Sequence, residues 1–175
     1  LIDAKRAQEL KSAGLDIAQV SLDGMREVHD TLRGEGCFNR STKALDECHE
    51  AGISTTVMVT LSNLNAGNLK ALTEHCIKHD VTRIAFGRLV PEGHGEQLRD
   101  DFFTKKELKR VYKTIRKLWR KYSKAIEVAF HDPIWMRFMK VKDTFGCSAG
   151  IGGICIVENG DIMPCRRLNM VIGNI

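Results

Sequence analysis

Two short segments, Ala13-Gly14-Leu15 and Ala51-Gly52-Ile53, punctuate the chain in the same way. They constrain the fold more than any other feature. Each closes a stretch with helical apolar spacing: Ile2, Ala7 and Leu10 before the first, Leu45, Cys48 and Ala51 before the second. Glycine just past a helix end adopts the left-handed conformation that caps the last carbonyls, and an apolar residue then covers the cap. Each segment leads into a β-type run, Ile17–Leu22 and then Ile53–Leu61. A third unit has Leu69, Leu72, Cys76 and Ile77 inward on a helix from about Asn68 to Lys78, followed by the strand Thr82–Val90. Helix and strand alternating over short turns predict parallel strands with right-handed crossovers. The runs are mixed apolar, as where helices cover a sheet face. The strands alone fit an open sheet and a barrel equally. Between the first strand and Thr42 the sequence reads as a polar loop.

Downstream, Thr104-x-x-Glu107 is a capping box opening the clearest helix. Leu108, Val111, Tyr112, Ile115, Leu118, Trp119 and Tyr122 make its apolar stripe. Residues 105–124 also hold ten Lys or Arg against the single acid Glu107, in a chain of net charge +5. One helix therefore carries the basicity. Its aromatic residues lie on the apolar stripe, so no stacking platform for bases accompanies the charge, which argues against nucleic acid. A short strand is expected at Ile126–Phe130, and His131-Asp132-Pro133 breaks it. The last thirty residues are rich in glycine and hold three of the six cysteines. A domain boundary is placed near residue 145, dividing 1–145 from 146–175. The chain opens at Leu1 inside a helical pattern and stops at Ile175 after a strand-like run, so a cut fragment is expected.

No apolar run reaches the ~20 residues of a membrane span. Cys48 and Cys76 fall on apolar helix faces, and 175 residues need no disulfide staples. A reducing, cytoplasmic setting with thiols available for metal is the expectation. In the run from Cys147 to Cys165, Ile154–Val157 and Asp161–Met163 are strand-like and joined at Glu158-Asn159-Gly160. Asn-Gly is a strong hairpin signal. A hairpin could bring Cys147 and Cys165 together at its open end, where two thiolates suit iron–sulfur or zinc. Buried thiols in an ordinary hairpin fit the same pattern, because two ligands do not close a four-ligand site. Cys155, between Ile154 and Ile156, reads as core.

The loop after the first strand runs from Ser21 through Asp23 to Arg33 and Gly34. Polar groups at strand C-terminal ends commonly face a ligand in such folds. Ser21 and Asp23 alternate with Leu22 and can point to one side. Arg33 offers a planar fork suited to a carboxylate. A solvated loop turned by Asp23-Gly24 accounts for the same residues without a ligand. His29 reads as an internal bond of this loop, His94 as a loop residue, and His131 with Trp135 as linker packing.

The pattern SLDGxxxxHDxxRG followed by Phe38, then Ala51-Gly52-Ile53, resembles radical S-adenosylmethionine (radical SAM) enzymes of the SPASM-containing group. Arg88-Leu89-Val90-Pro91-Glu92-Gly93 at a later strand end is similar to theirs as well. The Cys-x12-Gly-x4-Cys run, with Leu168 and Ile172-Gly173-Asn174-Ile175 after it, resembles the opening of their auxiliary cluster domain. The resemblance implies an α/β fold: the second half of a partial (β/α)6 TIM-like barrel, its last three strands, followed by the start of a small SPASM- or twitch-like hairpin domain. It implies S-adenosylmethionine and a [4Fe-4S] cluster as cofactors, with an auxiliary [4Fe-4S] cluster. Ser21 and Arg33 would hold the methionine carboxylate, and Asp23 would order the ribose side. Val59, in the strand around Val57–Thr60, would wall the adenine, and Leu89 would contact it. Cys147 and Cys165 would be the first two auxiliary ligands. The resemblance points to no catalytic side chain in this chain.

One departure matters. No Cys-x3-Cys-x2-Cys exists in the 175 residues, so the chain is expected to be inactive alone and its parent to be the enzyme. The implied partners are a peptide or small-molecule precursor and an electron donor such as ferredoxin or flavodoxin, with no membrane. The implied activity is hydrogen abstraction by the radical from SAM, in a peptide-modifying maturase. A haem- or tetrapyrrole-processing enzyme is the alternative, and a non-enzymatic metal-binding module a third reading.

Overall fold

The structure is a computed structural model that describes all residues except 1, 91–95, 97, 99, 132, 140–146, 148, 166, 167 and 169. It divides into two compact units, residues 1–89 with 100–139, and residues 90–99 with 140–175.

The first unit is a four-stranded parallel sheet in the order β1-β2-β3-β4, formed by β1 (Ile17–Ser21), β2 (Ser54–Leu61), β3 (Arg83–Arg88) and β4 (Glu127–Phe130). The short run at 126–130 thus joins the sheet as a full member. Helices α1 (Ala4–Ser12), α2 (Arg26–Arg33), α3 (Cys37–Glu50), α4 (Leu69–Lys78), α5 (Lys105–Tyr122) and α6 (Met136–Met139) complete the unit. Consecutive neighbours joined by right-handed crossovers put every connecting helix on one face. That winding is the wall of a (β/α) barrel rather than a doubly wound sheet.

Strand pleating divides the two faces. Val57, Val59, Leu61, Ile84, Phe86 and Val128 point toward the helices and pack with Leu72, Leu108, Tyr112 and Ile115 in one core. A second cluster of Ala7, Ala18, Cys48, Ala51 and Ile53 seats α1 and α3. Burial pushes the Cys76 thiol up to about 12, and pushes Cys48 up as well, so both act as small apolar side chains. On the opposite face, register aligns Ser21, Met58, Ala85 and Ala129 in one row. A polar row, Gln19, Thr56, Arg83 and Glu127, lies nearer the strand starts. There Arg83 bonds Glu127 at 2.9 Å.

Three helix ends use one device. Leu15 N–H bonds Leu10 O, Ile53 N–H bonds Cys48 O, and Val81 N–H bonds Cys76 O, at 2.9–3.0 Å. The residue before each of these donors is left-handed: Gly14, Gly52 and Asp80, with φ of 93°, 74° and 50°. The first two are the segments that set the sequence reading; the third carries a side chain in a conformation that disfavours one. Helix α5 begins with Thr104 and Glu107 capping each other, as expected.

Residues 23–41 depart from expectation. They hold helix α2 and the first turn of α3, which starts at Cys37 rather than Thr42.

The second unit contains three short antiparallel strands, β5 (Cys155–Ile156), β6 (Asp161–Met163) and β7 (Gly173–Asn174), in the order β5-β6-β7. The expected hairpin is β5–β6, turned through Gly160, whose N–H bonds Val157 O at 2.9 Å.

Candidate functional site

The site is built where β1 and β2 end. Leu22 N–H bonds Met58 O at 3.1 Å and completes the β1–β2 ladder. The next rung is a side chain: Asp23 Oδ1 accepts the Thr60 N–H at 2.7 Å. The other oxygen, Oδ2, accepts from Arg33 Nε at 2.7 Å. Asp23 is 2% exposed, so its carboxylate is a buried tie between two strand tips and the end of α2. Arg33 reaches it from the last turn of α2 with its side chain 43% exposed. Bonding through Nε leaves the two terminal nitrogens of the guanidinium as a fork for an anion.

His29 lies beneath this tie. Its Nδ1 accepts the Asp23 N–H at 3.0 Å, which puts the ring proton of the neutral form on Nε2. Burial holds His29 below the usual histidine range; Asp23 and Asp30 oppose this and Arg33 assists it. Asp30 caps the turn after α2, with Oδ1 accepting Phe38 N–H at 2.7 Å and Oδ2 accepting Gly36 N–H at 3.2 Å. Those bonds hold its carboxyl below the usual range, the Phe38 N–H foremost.

The β2 tip is tied just as closely. Asn65, fully buried, takes Ser62 N–H on Oδ1 and gives Nδ2 to Thr60 O at 2.7 Å. Asn68 Oδ1 accepts Met25 N–H at 3.1 Å and joins the start of α4 to the β1–α2 loop. The Ser62 hydroxyl is buried with no hydrogen-bond partner.

Sequence reasoning placed Ser21, Asp23 and Arg33 together. Asp23 and Arg33 are in contact, and Ser21 lies on the helix-free face at the end of β1. Asp23 spends both oxygens on protein groups, so it orders the site from within rather than presenting a bare carboxylate. Val59 requires a correction. Its side chain is fully buried among the helix-facing core residues, which leaves Met58 and Thr60 as the residues of that strand on the other face. Leu89 is half-buried one step beyond β3, its N–H on Leu61 O at 3.1 Å. Pro91, Glu92, Gly93 and His94 lie outside the described residues. Trp135 stacks on Phe130 with centroids 4.6 Å apart, in keeping with packing at that end of the unit. Asn65 and Asn68 were missed by sequence reasoning, and Asp30 was seen only as part of the SLDGxxxxHDxxRG pattern. The Asn-rich run SNLNAGN was the one visible signal of the two asparagines.

In the second unit Cys147 is exposed and Cys165 half-buried. Gly150 N–H is shared between Gly153 O and Pro164 O, each at 3.1 Å. This ties the chain three residues after Cys147 to the residue preceding Cys165. Cys155 pairs with Met163 across the hairpin. No three His, Cys, Asp or Glu side chains gather to hold a metal ion among the described residues. No helix among them is long and apolar enough to cross a membrane.

Comparison with known proteins adds relatives and a fold likeness. The Fe-coproporphyrin III synthase of Methanosarcina barkeri is 32% identical over 122 residues, covering 69% of this chain and 31% of that protein. The AdoMet-dependent heme synthase of Oleidesulfovibrio alaskensis is 26% identical over 193 aligned residues, all of this chain and 50% of that one. The chain thus spans about a third to a half of these relatives. The crystal structure of Streptococcus suis SuiB bound to precursor peptide SuiA superposes with a TM-score of 0.78 at 16% identity, over 99% of this chain and 43% of that one. Its likeness shows the fold, a partial TIM-like barrel wall. Residues 1–76, which carry the Asp23–Arg33 tie, match the model of the Radical SAM superfamily. That match places residues 1–76 of the chain within the Radical SAM superfamily.

Proposed function

We propose that this chain is the C-terminal part of the barrel of a radical SAM enzyme, and that it binds S-adenosylmethionine at the tips of β1–β3. The observation that carries this reading is the Arg33 guanidinium, tethered through Nε to a buried carboxylate with its terminal fork free. In this reading the fork takes the methionine carboxylate and the Ser21 hydroxyl adds a second bond. The Asp23 carboxylate fixes the arginine and keeps its place near the ribose side. The helix-free row has small side chains toward the tips, Ala85 and Gly87, which leave room for an adenosyl group. Leu89 offers it an apolar contact. When bound, the cofactors supply a one-electron cleavage of the sulfonium, whose carbon radical removes a hydrogen atom from the substrate.

The iron side fits only in part. The 175 residues lack a Cys-x3-Cys-x2-Cys loop, so the cluster that reduces SAM has no ligand set here. Cys147 and Cys165 are two thiols on tied segments, short of the four ligands an auxiliary [4Fe-4S] cluster takes. We place them as two of its ligands and route no step through it. An electron donor such as ferredoxin or flavodoxin would reduce the parent enzyme.

For the substrate, the barrel likeness to SuiB, whose structure holds a precursor peptide, supports a peptide-modifying maturase. A tetrapyrrole precursor is the second reading, favoured by the heme synthase that aligns along the entire chain. The test is 5′-deoxyadenosine formation by the anaerobically purified parent protein with dithionite. Turnover stimulated by a precursor peptide supports the first reading, and turnover stimulated by an iron coproporphyrin the second. No SAM cleavage with a full complement of iron would overturn both.

A further inference from the structure

We propose that the adjacent residues His29 and Asp30 are positioning residues that aim Arg33 at the SAM carboxylate, by pinning α2 from its two ends. The inference rests on the SAM reading of the strand tips. Helix α2 has eight residues, well under the ~12 at which an isolated helix becomes marginal, so its placement comes from outside bonds. Its first end is held through His29, whose buried Nδ1 takes the Asp23 N–H at 3.0 Å. Its far end is held through Asp30, whose two oxygens take the N–H groups of Phe38 and Gly36 at 2.7 and 3.2 Å.

Arg33 sits between the points these pins hold, the Asp23 N–H before it and the Gly36 and Phe38 N–H groups after it. It lies four positions after His29, one helical turn on the same face. Its main chain is fixed from behind because Gly34 N–H bonds Asp30 O at 2.8 Å, and Asp30 then clamps the chain two to four residues later. Its side chain is fixed from in front through Asp23, whose backbone His29 holds and whose Oδ1 rests on Thr60 N–H at 2.7 Å. A free arginine side chain samples many rotamers, which a ligand would otherwise have to freeze. Phe38 links the two pins physically: its ring meets His29 edge-on at 6.3 Å while its N–H is bound by Asp30.

The test compares two ligands on the parent protein that carries this chain. SAM has the methionine carboxylate; 5′-methylthioadenosine shares the adenosyl group and lacks it. H29L and D30A are expected to weaken SAM roughly tenfold, the loss of about one good hydrogen bond, and to change 5′-methylthioadenosine less than about twofold. H29N, whose side-chain oxygen can accept the Asp23 N–H, is expected to recover most of the loss. Where H29L or D30A does not fold, D30N, which exchanges one of two acceptors for a donor, carries the same comparison. Equal weakening of both ligands, unchanged SAM affinity, or no recovery in a folded H29N overturns the inference. Wild-type protein that holds SAM no better than 5′-methylthioadenosine instead removes the reading of Arg33 on which it rests.

Discussion

Asp23 concentrates three kinds of bond in one buried residue: a rung of the sheet and an ion pair through its carboxylate and, through its backbone N–H, the anchor of His29. Removing it orphans the Thr60 N–H and releases Arg33 together. D23A is expected to cost about 2–3 kcal/mol of stability, read by urea unfolding, whereas exposed Lys43 exchanged for Ala should change it by less than about 0.5 kcal/mol. His29 gives a pH signature. Its buried Nδ1 must stay an acceptor, and burial lowers its pKa from 6.5. His75 is lowered likewise, by burial and then by His79; its Nε2 meets Thr42 Oγ1 at 3.0 Å. For both, the unfolded chain binds the proton more tightly than the folded one. Stability is therefore complete above pH 6.5 and is lost as pH falls from 6.5 through the lower folded values. Thermal melts between about pH 7.5 and about pH 5 should show Tm falling with acid. H29N should flatten part of that slope.

At the scale of elements, the repeated helix ending allows a gain of stability. Gly14 and Gly52 adopt the left-handed cap at no steric cost, while Asp80 holds it at φ 50°. Its contact with His49, Nε2 to Oδ2 at 3.8 Å, is between exposed groups and contributes little. D80G is expected to raise stability by about 1 kcal/mol in denaturant unfolding. The same repeat explains what was legible. Glycine after an apolar helix face announces itself, so two helix–strand units stood out, but His79-Asp80-Val81 performs the turn without the signal. Strand existence followed from apolar runs. Strand face did not, because alternation offers two equal choices, and Val59 falls on the helix-packed one. Helix α2 escaped notice because Arg26–Arg33 is polar nearly throughout; bonds from His29 and Asp30 to backbone groups just before and just after the helix, rather than a stripe, hold it. The contact of Asp23 with Arg33 was legible only as residue types on one loop. The asparagines that fix the β2 tip were not, since their partners are backbone groups whose identity leaves no mark in the sequence.

At the scale of the molecule, the proposed function assigns separate chemistry to the two units. The cysteine unit predicts a metal signature: C147A/C165A in the parent protein is expected to lower bound iron by about four atoms per chain, one auxiliary cluster, by elemental analysis after anaerobic reconstitution. Unchanged iron would assign those thiols to packing. In the sheet unit, peptide groups pair strand to strand until Leu22, and a carboxylate closes the last step. The hydrogen bonds of main-chain-paired walls do not depend on any one side chain, but a closure made by Asp23 is encoded in a single codon. Mutation can therefore loosen, re-aim or re-tune the rim of this barrel while its walls persist.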